Sequence, residues 1–428
     1  MTNWPICSLG SQVRFLSGGT PSKNESRFWD GEIPWVSSAE MTQRRIDNTA
    51  LRVTEDGAKE GSRLISKNTV LVVVRGMSLA KEFRVAITKR ELTFNQDLKA
   101  LLPSNNLNPA FLFYYLLSQN KAICDSASEA AHGTKKLDMP VLEQWPLPLP
   151  PQNVQKKIAA ILSAYDDLIE NNQRRIALLE KMAEEIYREW FVRMRFPGHE
   201  KVKIIKGVPE GWVVSKLSDV VDFLSGFSFE SETYTPNGKY GVVTIKNVQD
   251  GYFIPECSDF VEDVPSKMKK HCFLEAGDVL MSLTGNVGRV CHVYGDNLLL
   301  NQRVAKLLPK LSNSNQYLFC LFNNKSMTQL IENLSLGSTA QMNLSPILLG
   351  KQKIVIPSDN LLLKFERTIH PMYQEKMLLL QKNKLLAKLR DKLLPRLISG
   401  KLSVELLDIQ FPPGMEESVH DIGNHQRV

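Results

Sequence analysis

The chain has 428 residues, 43% hydrophobic and 23% charged, with a formal net charge of +7. That is too long for one ordinary domain and too apolar for a disordered chain, so two or three globular domains are expected. No run of eighteen apolar residues exists, the opening Met1-Thr2-Asn3-Trp4-Pro5 lacks the flank and apolar core of an export signal, and the six cysteines are scattered. A membrane protein and a secreted disulfide scaffold are therefore excluded, and a cytoplasmic chain with reduced thiols is expected.

Residues 1–150 contain short β-type runs such as Thr69–Val74, separated by Gly, Pro, Asn and Asp. Residues 151–196 then change period. Pro150-Pro151 introduce a helix predicted from Gln152 to Phe196, and Pro197-Gly198 stop it. Ile158, Tyr165, Asn172, Leu179 and Ile186 form one heptad seam, and Leu162, Ile169, Ile176, Ala183 and Trp190 the other. That is coiled-coil spacing, with Asn172 either a register-setting device or a tolerated polar site. Residues 197–357 return to β-type runs such as Val242–Ile245. Residues 358–402 form a second helical segment with one clean seam: Phe365, Met372, Leu379, Leu386 and Leu393. Its second seam mixes in Lys376, Asn383 and Arg390, while Tyr373, Leu380, Ala387 and Leu394 shift the apolar face sideways. Pro371 is expected to kink this helix or delay its start. The stretch is basic, with ten Lys or Arg against four acids, whereas the tail from 403 to 428 is acidic.

The chain also repeats itself. Trp4, Leu9, Val13 and Phe15-Leu16-Ser17-Gly18 recur 208 residues later as Trp212, Leu217, Val221 and Phe223-Leu224-Ser225-Gly226. Arg75-Gly76 is echoed by Thr284-Gly285, Asn95-Gln96 by Asn301-Gln302, and Leu147–Pro150 by Ile354–Pro357. A tandem duplication follows. The expected class is α+β: two tandem α/β domains separated by two long antiparallel coiled-coil helices, with pseudo-two-fold symmetry.

Catalytic signatures are missing. The chain has no phosphate-cradling G-x-x-x-x-G-K-[ST] loop, no G-x-S-x-G elbow, no Asn/Asp-Pro-Pro-aromatic tetrapeptide and no Glu-x-Lys triplet. His271-Cys272 and Cys291-His292 are metal-ligating types, but neighbours on a strand point to opposite faces, so buried core residues are expected and no metal. Basic clusters on predicted loops, Arg44, Arg45, Lys135, Lys136, Lys267, Lys269 and Lys270, are candidates for DNA contact. Arg75 and Arg84, beside the Thr69–Val74 run, can reach base edges or simply pack on the strand. Arginine reads guanine, and lysine mostly holds phosphate.

The central helix and its exit carry the most specific likeness: Pro150-Pro151, Gln155-Lys156-Lys157-Ile158, Arg174–Glu180, Glu189-Trp190-Phe191 and Phe196-Pro197-Gly198. With Val208-Pro209-Glu210-Gly211-Trp212 and Leu389–Gly400, the chain resembles the specificity subunits of type I restriction–modification systems over nearly its whole length. The resemblance implies two target-recognition domains, each reading half of a split sequence in double-stranded DNA; the two halves share an apolar frame but differ in polar residues, so an asymmetric target is expected. It implies helices that act as spacer and as docking surface for two methyltransferase subunits; both helices carry more apolar residues than two seams use, which makes Trp190, Phe191, Leu380 and Leu394 the candidate contacts. It implies no catalysis and no cofactor in this chain: S-adenosylmethionine would serve the methyltransferase, and ATP with magnesium the restriction subunit. A two-domain DNA-binding regulator or adaptor without a restriction role is the alternative.

Overall fold

The structure, a computed structural model, describes residues 4–130, 134–335 and 342–411. The acidic tail beyond residue 411 lies outside the described residues. The chain forms two compact units. The first comprises Met1–Leu168 with Leu386–Val428, and the second Ile169–Leu385. Each unit thus contains one α/β domain and one segment of each long helix.

In the first unit, Val13–Ser17, Leu98–Pro103, Val70–Val73, Val85–Thr88 and Arg45–Ile46 lie side by side in that order. Val70–Val73 is buried at all four positions, so both faces of this strand are covered and alternation disappears from its sequence. A second sheet orders Arg52–Val53, Trp29–Val36, Leu92–Phe94 and Leu64–Ile65, the middle pair parallel. Helix Pro109–Ser118 starts where Asn108 accepts a hydrogen bond from the Phe111 amide and proline occupies the first turn.

The second unit repeats the plan. Its first sheet orders Val221–Ser225, Val304–Pro309, Val279–Ser282 and Val290–His292. Its second orders Phe260–Val261, Tyr240–Val243, Leu298–Leu300 and Phe273–Leu274, again with the middle pair parallel. The repeated Ser-Gly has a shared cause. A Cβ at Gly18 would collide with the Phe94 carbonyl, and one at Gly226 with the Leu300 carbonyl. Only glycine lets these two backbones meet.

The central helix is α-helical over Gln152–Tyr187 and closes with a wide π turn, Arg188–Val192. It therefore ends short of Phe196, with Met194 at φ 58°. The wide turn directs Trp190 and Phe191 into a ring cluster with Phe365, at centroid distances of 5.7 and 4.9 Å.

The C-terminal helix runs unbroken over Asp359–Ile398. Pro371 neither breaks nor delays it. Proline deletes one backbone bond on an exposed face, while Phe365, Ile369, Tyr373 and Leu379 are buried on the other. Pro371→Ala should regain helix stability at the cost of a freer unfolded chain. The balance is a stabilisation of about 1–2 kcal/mol, read as a higher urea midpoint.

Residue numbers rise along one helix as they fall along the other. In the second unit Asn172 donates to Asn383 at 2.8 Å, Arg175 pairs with Glu375 at 2.7 Å, and Lys376 pairs with Glu180 at 2.6 Å. In the first unit Arg390 pairs with Asp166, and Lys157 reaches the Glu405 carbonyl at 2.8 Å. The mixed seam is thus a polar ladder. Lys376, Arg390 and Asn172 are all buried, Lys376 and Arg390 each against an acid and Asn172 against the Asn383 amide. Buried polar pairs add little net stability over apolar ones, but a shifted register would leave each rung unpartnered.

Candidate nucleic-acid interface

The basic candidates of the first unit divide into two groups. Arg45 turns to the central helix, pairing with Asp167 and donating to the Ser163 carbonyl at 3.3 Å. Burial opposes its charge, but Tyr114 and the Asp167 and Asp166 carboxylates outweigh burial and raise its pKa. Arg44 lies 3.8 Å from Asp391. These two arginines face the helix pair, and Arg45 acts as a brace.

The other group converges on a small ribbon. Arg75–Gly76 pairs with Lys135–Lys136, which pairs in turn with Ser128–Glu129. Arg75 faces Lys136 and Gly76 faces Lys135 across the ladder. Gly76 has φ 146°, a backbone region that only glycine enters readily. Arg75 is exposed, so packing on the strand is not its role. Met77 beside it is 74% exposed. Lys136 pairs with Asp138 at 2.8 Å and holds that carboxyl below its ordinary pKa. Arg84, half-buried at the start of Val85–Thr88, donates to the Ser38 carbonyl at 3.2 Å.

The pairing of Arg75 with Lys136 has a counterpart in the second unit, a single bridge between Thr284 and Asn343 that carries different side chains. Leu137 donates to the Val74 carbonyl at 2.9 Å, and Leu344 to that of Leu283 at 2.8 Å. The register makes Thr284 the counterpart of Arg75, with Asn343 bridged to it as Lys136 is to Arg75. Gly285, at φ 72°, donates to the Met342 carbonyl at 3.1 Å. Asn286, Met342 and Asn343 are exposed, whereas the Thr284 hydroxyl is buried without a hydrogen bond. Arg289 takes the position of Arg84. Its guanidinium holds the Gln249 amide and, with the Asn286 amide turned oxygen-inward, Asn286 at 3.1 and 3.2 Å. Sequence reasoning missed Arg289, Asn286 and Asn343. Laying Arg84-Val85 against Arg289-Val290 is the signal that finds the first. Lys267, Lys269 and Lys270 are exposed at the turn ahead of Phe273–Leu274.

Of the candidate docking residues, Leu394 is buried in the first unit's core, and Trp190 and Phe191 pack on the second's. Leu380 is half-buried. The apolar side chains left exposed are others: Leu168, Leu178 and Met182 on the central helix, and Leu378, Leu385 and Leu389 on the C-terminal one. Heptad reading identifies inward residues, and a docking face must lie off the seams.

Cys291 and His292 point to opposite sides of their strand. Cys291 joins one core cluster, and His292 stacks between Phe319 and Tyr373 at 3.9 and 4.7 Å. Burial, then Lys376, pushes the His292 pKa well down, so the ring stays neutral. His271 lies 2.9 Å from the Ser225 carbonyl. Among the described residues no three His, Cys, Asp or Glu side chains group as a metal site would require. No helix among them is long and apolar enough to cross a membrane.

The model of the type I restriction modification DNA specificity domain matches residues 1–181 and again 209–361. The chain belongs to that family. It is 28% identical over 420 residues to the type I restriction enzyme MjaIX specificity subunit of Methanocaldococcus jannaschii, covering 95% of each chain. It is 32% identical over 201 residues to the EcoR124I/EcoR124II specificity subunit of Escherichia coli, covering 46% of this chain and 49% of that one. The crystal structure of a type I restriction–modification S subunit from M. genitalium shares the fold, with a TM-score of 0.59 at 19% identity over 92% of this chain and 96% of that one. As a specificity chain it carries DNA recognition and not catalysis, and the regulator reading falls away.

Proposed function

We propose that this chain reads a split, asymmetric DNA sequence for a type I restriction–modification complex, one half-site per repeat. The observation that carries this is one paired strand end built twice on one fold, Arg75 against Lys136 and Thr284 against Asn343, with unlike exposed side chains: Arg75 and Lys136 in one repeat, Asn286, Met342 and Asn343 in the other. Two copies of one scaffold suit two half-sites, and different surface chemistry makes the halves different. The long helices set the spacing between half-sites. Their exposed apolar residues, Leu178, Met182, Leu378 and Leu385 among them, offer docking to two methyltransferase subunits, with a restriction subunit joining the complex. S-adenosylmethionine, ATP and magnesium belong to those partners, and the complex works in the cytoplasm.

A matched pair of seven-residue insertions tests the spacing role. One goes between Leu168 and Ile169, the other between Leu385 and Leu386, which keeps every rung of the polar ladder. Each helix lengthens by about 10 Å, about three base pairs of DNA. Methylation-sensitive sequencing of cells carrying the variant should find both half-sites unchanged and the gap longer. An unchanged gap with altered half-sites refutes the division of labour.

A further inference from the structure

The two ribbons differ in a way that predicts what each reads. Resting on the proposed function, we infer that they are the base-reading elements of the two repeats, with Arg75 taking a guanine in one half-site and Asn343 an adenine in the other.

Four observations lead there. First, the two ribbons correspond in register, Arg75 to Thr284 and Lys136 to Asn343, the second reduced to one bridge among the described residues. Each leaves the end of a buried strand, Val70–Val73 or Val279–Ser282, passes through a glycine at positive φ and is paired by a returning segment held by the same backbone bond. Second, their outer side chains contribute nothing to the core. Arg75, Met77, Asn286 and Asn343 are exposed, while the residues that anchor the paired segments, Val74 and Leu137 in one repeat and Leu283 and Leu344 in the other, are buried. A rigid base carrying exposed polar tips is how binding residues are positioned. Third, the rival arginine is occupied elsewhere, since Arg45 is tied to Asp167 and Ser163. Fourth, the chemistry discriminates. In the major groove arginine forms two parallel bonds to guanine O6 and N7, and asparagine two to adenine N6 and N7.

The flanking groups fit this division. Lys135 and Lys136 supply positive charge beside Arg75, suited to the adjacent phosphates. Arg289 is committed to Gln249 and Asn286, so it braces the second ribbon, and the neighbouring Asn343 amide is the group presented outward.

The test uses the full chain in its complex with the methyltransferase subunits, in cells without other DNA methylation of this class, with modified bases mapped genome-wide. Arg75→Ala should lower methylation at cognate sites about 10–100-fold and relax one position, a guanine, in one half-site only. Asn343→Ala should relax one adenine position in the other half-site only. Arg75→Gln, which keeps a long polar side chain, should turn the same position towards adenine. Lys325→Ala, at an exposed position outside both ribbons, should alter neither motif. If Arg75→Ala abolishes methylation altogether, Arg75→Gln decides: a changed base at one position supports the assignment, and an unchanged motif overturns it. Unaltered motifs with Arg75→Ala and Asn343→Ala overturn it outright, as does relaxation of both half-sites by either one. A wild-type complex that methylates no bipartite motif overturns the proposed function itself.

Discussion

Asp166→Ala should destabilise the first unit by about 3 kcal/mol, near the low end of the 3–5 kcal/mol that breaking a buried ion pair costs. Asp166 is buried and serves two donors at once, the Tyr114 hydroxyl at 2.6 Å and the Arg390 guanidinium. The alanine variant leaves Arg390 inside without its main counter-charge. Arg390 cannot escape by losing its proton, because a guanidinium stays charged in a protein. Asp391, 2.8 Å away and half exposed, softens the loss and sets the lower figure. A triple variant, Tyr114→Phe with Asp166→Leu and Arg390→Met, should recover most of the stability because no buried polar group is then left unpaired. Urea unfolding of the single and triple variants, with hydrogen exchange in residues 98–118 as the local reporter, checks both figures. An Asp166→Ala variant as stable as the parent would show that the rung does not bear on folding.

Phe365→Ala should cost about 3–5 kcal/mol, felt in the second unit. The ring is fully buried and central to an aromatic cluster, with Tyr187 at 6.2 Å, Trp190 at 5.7 Å and Phe191 at 4.9 Å. Its removal opens a cavity and also takes away edge-to-face contacts worth about 0.5–1.5 kcal/mol each beyond their area. Trp190 should then become wetter, so a red-shifted tryptophan emission at low denaturant should accompany the lost stability. Trp190→Glu would put a carboxylate into the same cluster and disturb the fold, whereas Leu178→Glu or Leu385→Glu probes docking on exposed positions.

The sequence by itself determined the duplication, the class of elements and the two helices. Periodicity and constant offset are local quantities: apolar residues every three or four positions bury one side of a helix whatever lies opposite. Trp4 to Gly18 matched Trp212 to Gly226 because each repeat must build the same close backbone approach at its glycine. The tertiary structure decided everything that depends on what faces what. Lys376, Asn383 and Arg390 read as blemishes in a seam until Glu180, Asn172 and Asp166 stood opposite them. Trp190 and Phe191 read as surplus apolar surface until a π turn, which has no sequence signature of its own, rolled them into the core. Arg45 and Arg75 are alike as residues, yet one braces a helix and the other is exposed on a ribbon. Asn343 had no cluster, no charge and no motif to mark it. Only strand pairing, which joins segments some sixty residues apart, brings it beside Thr284.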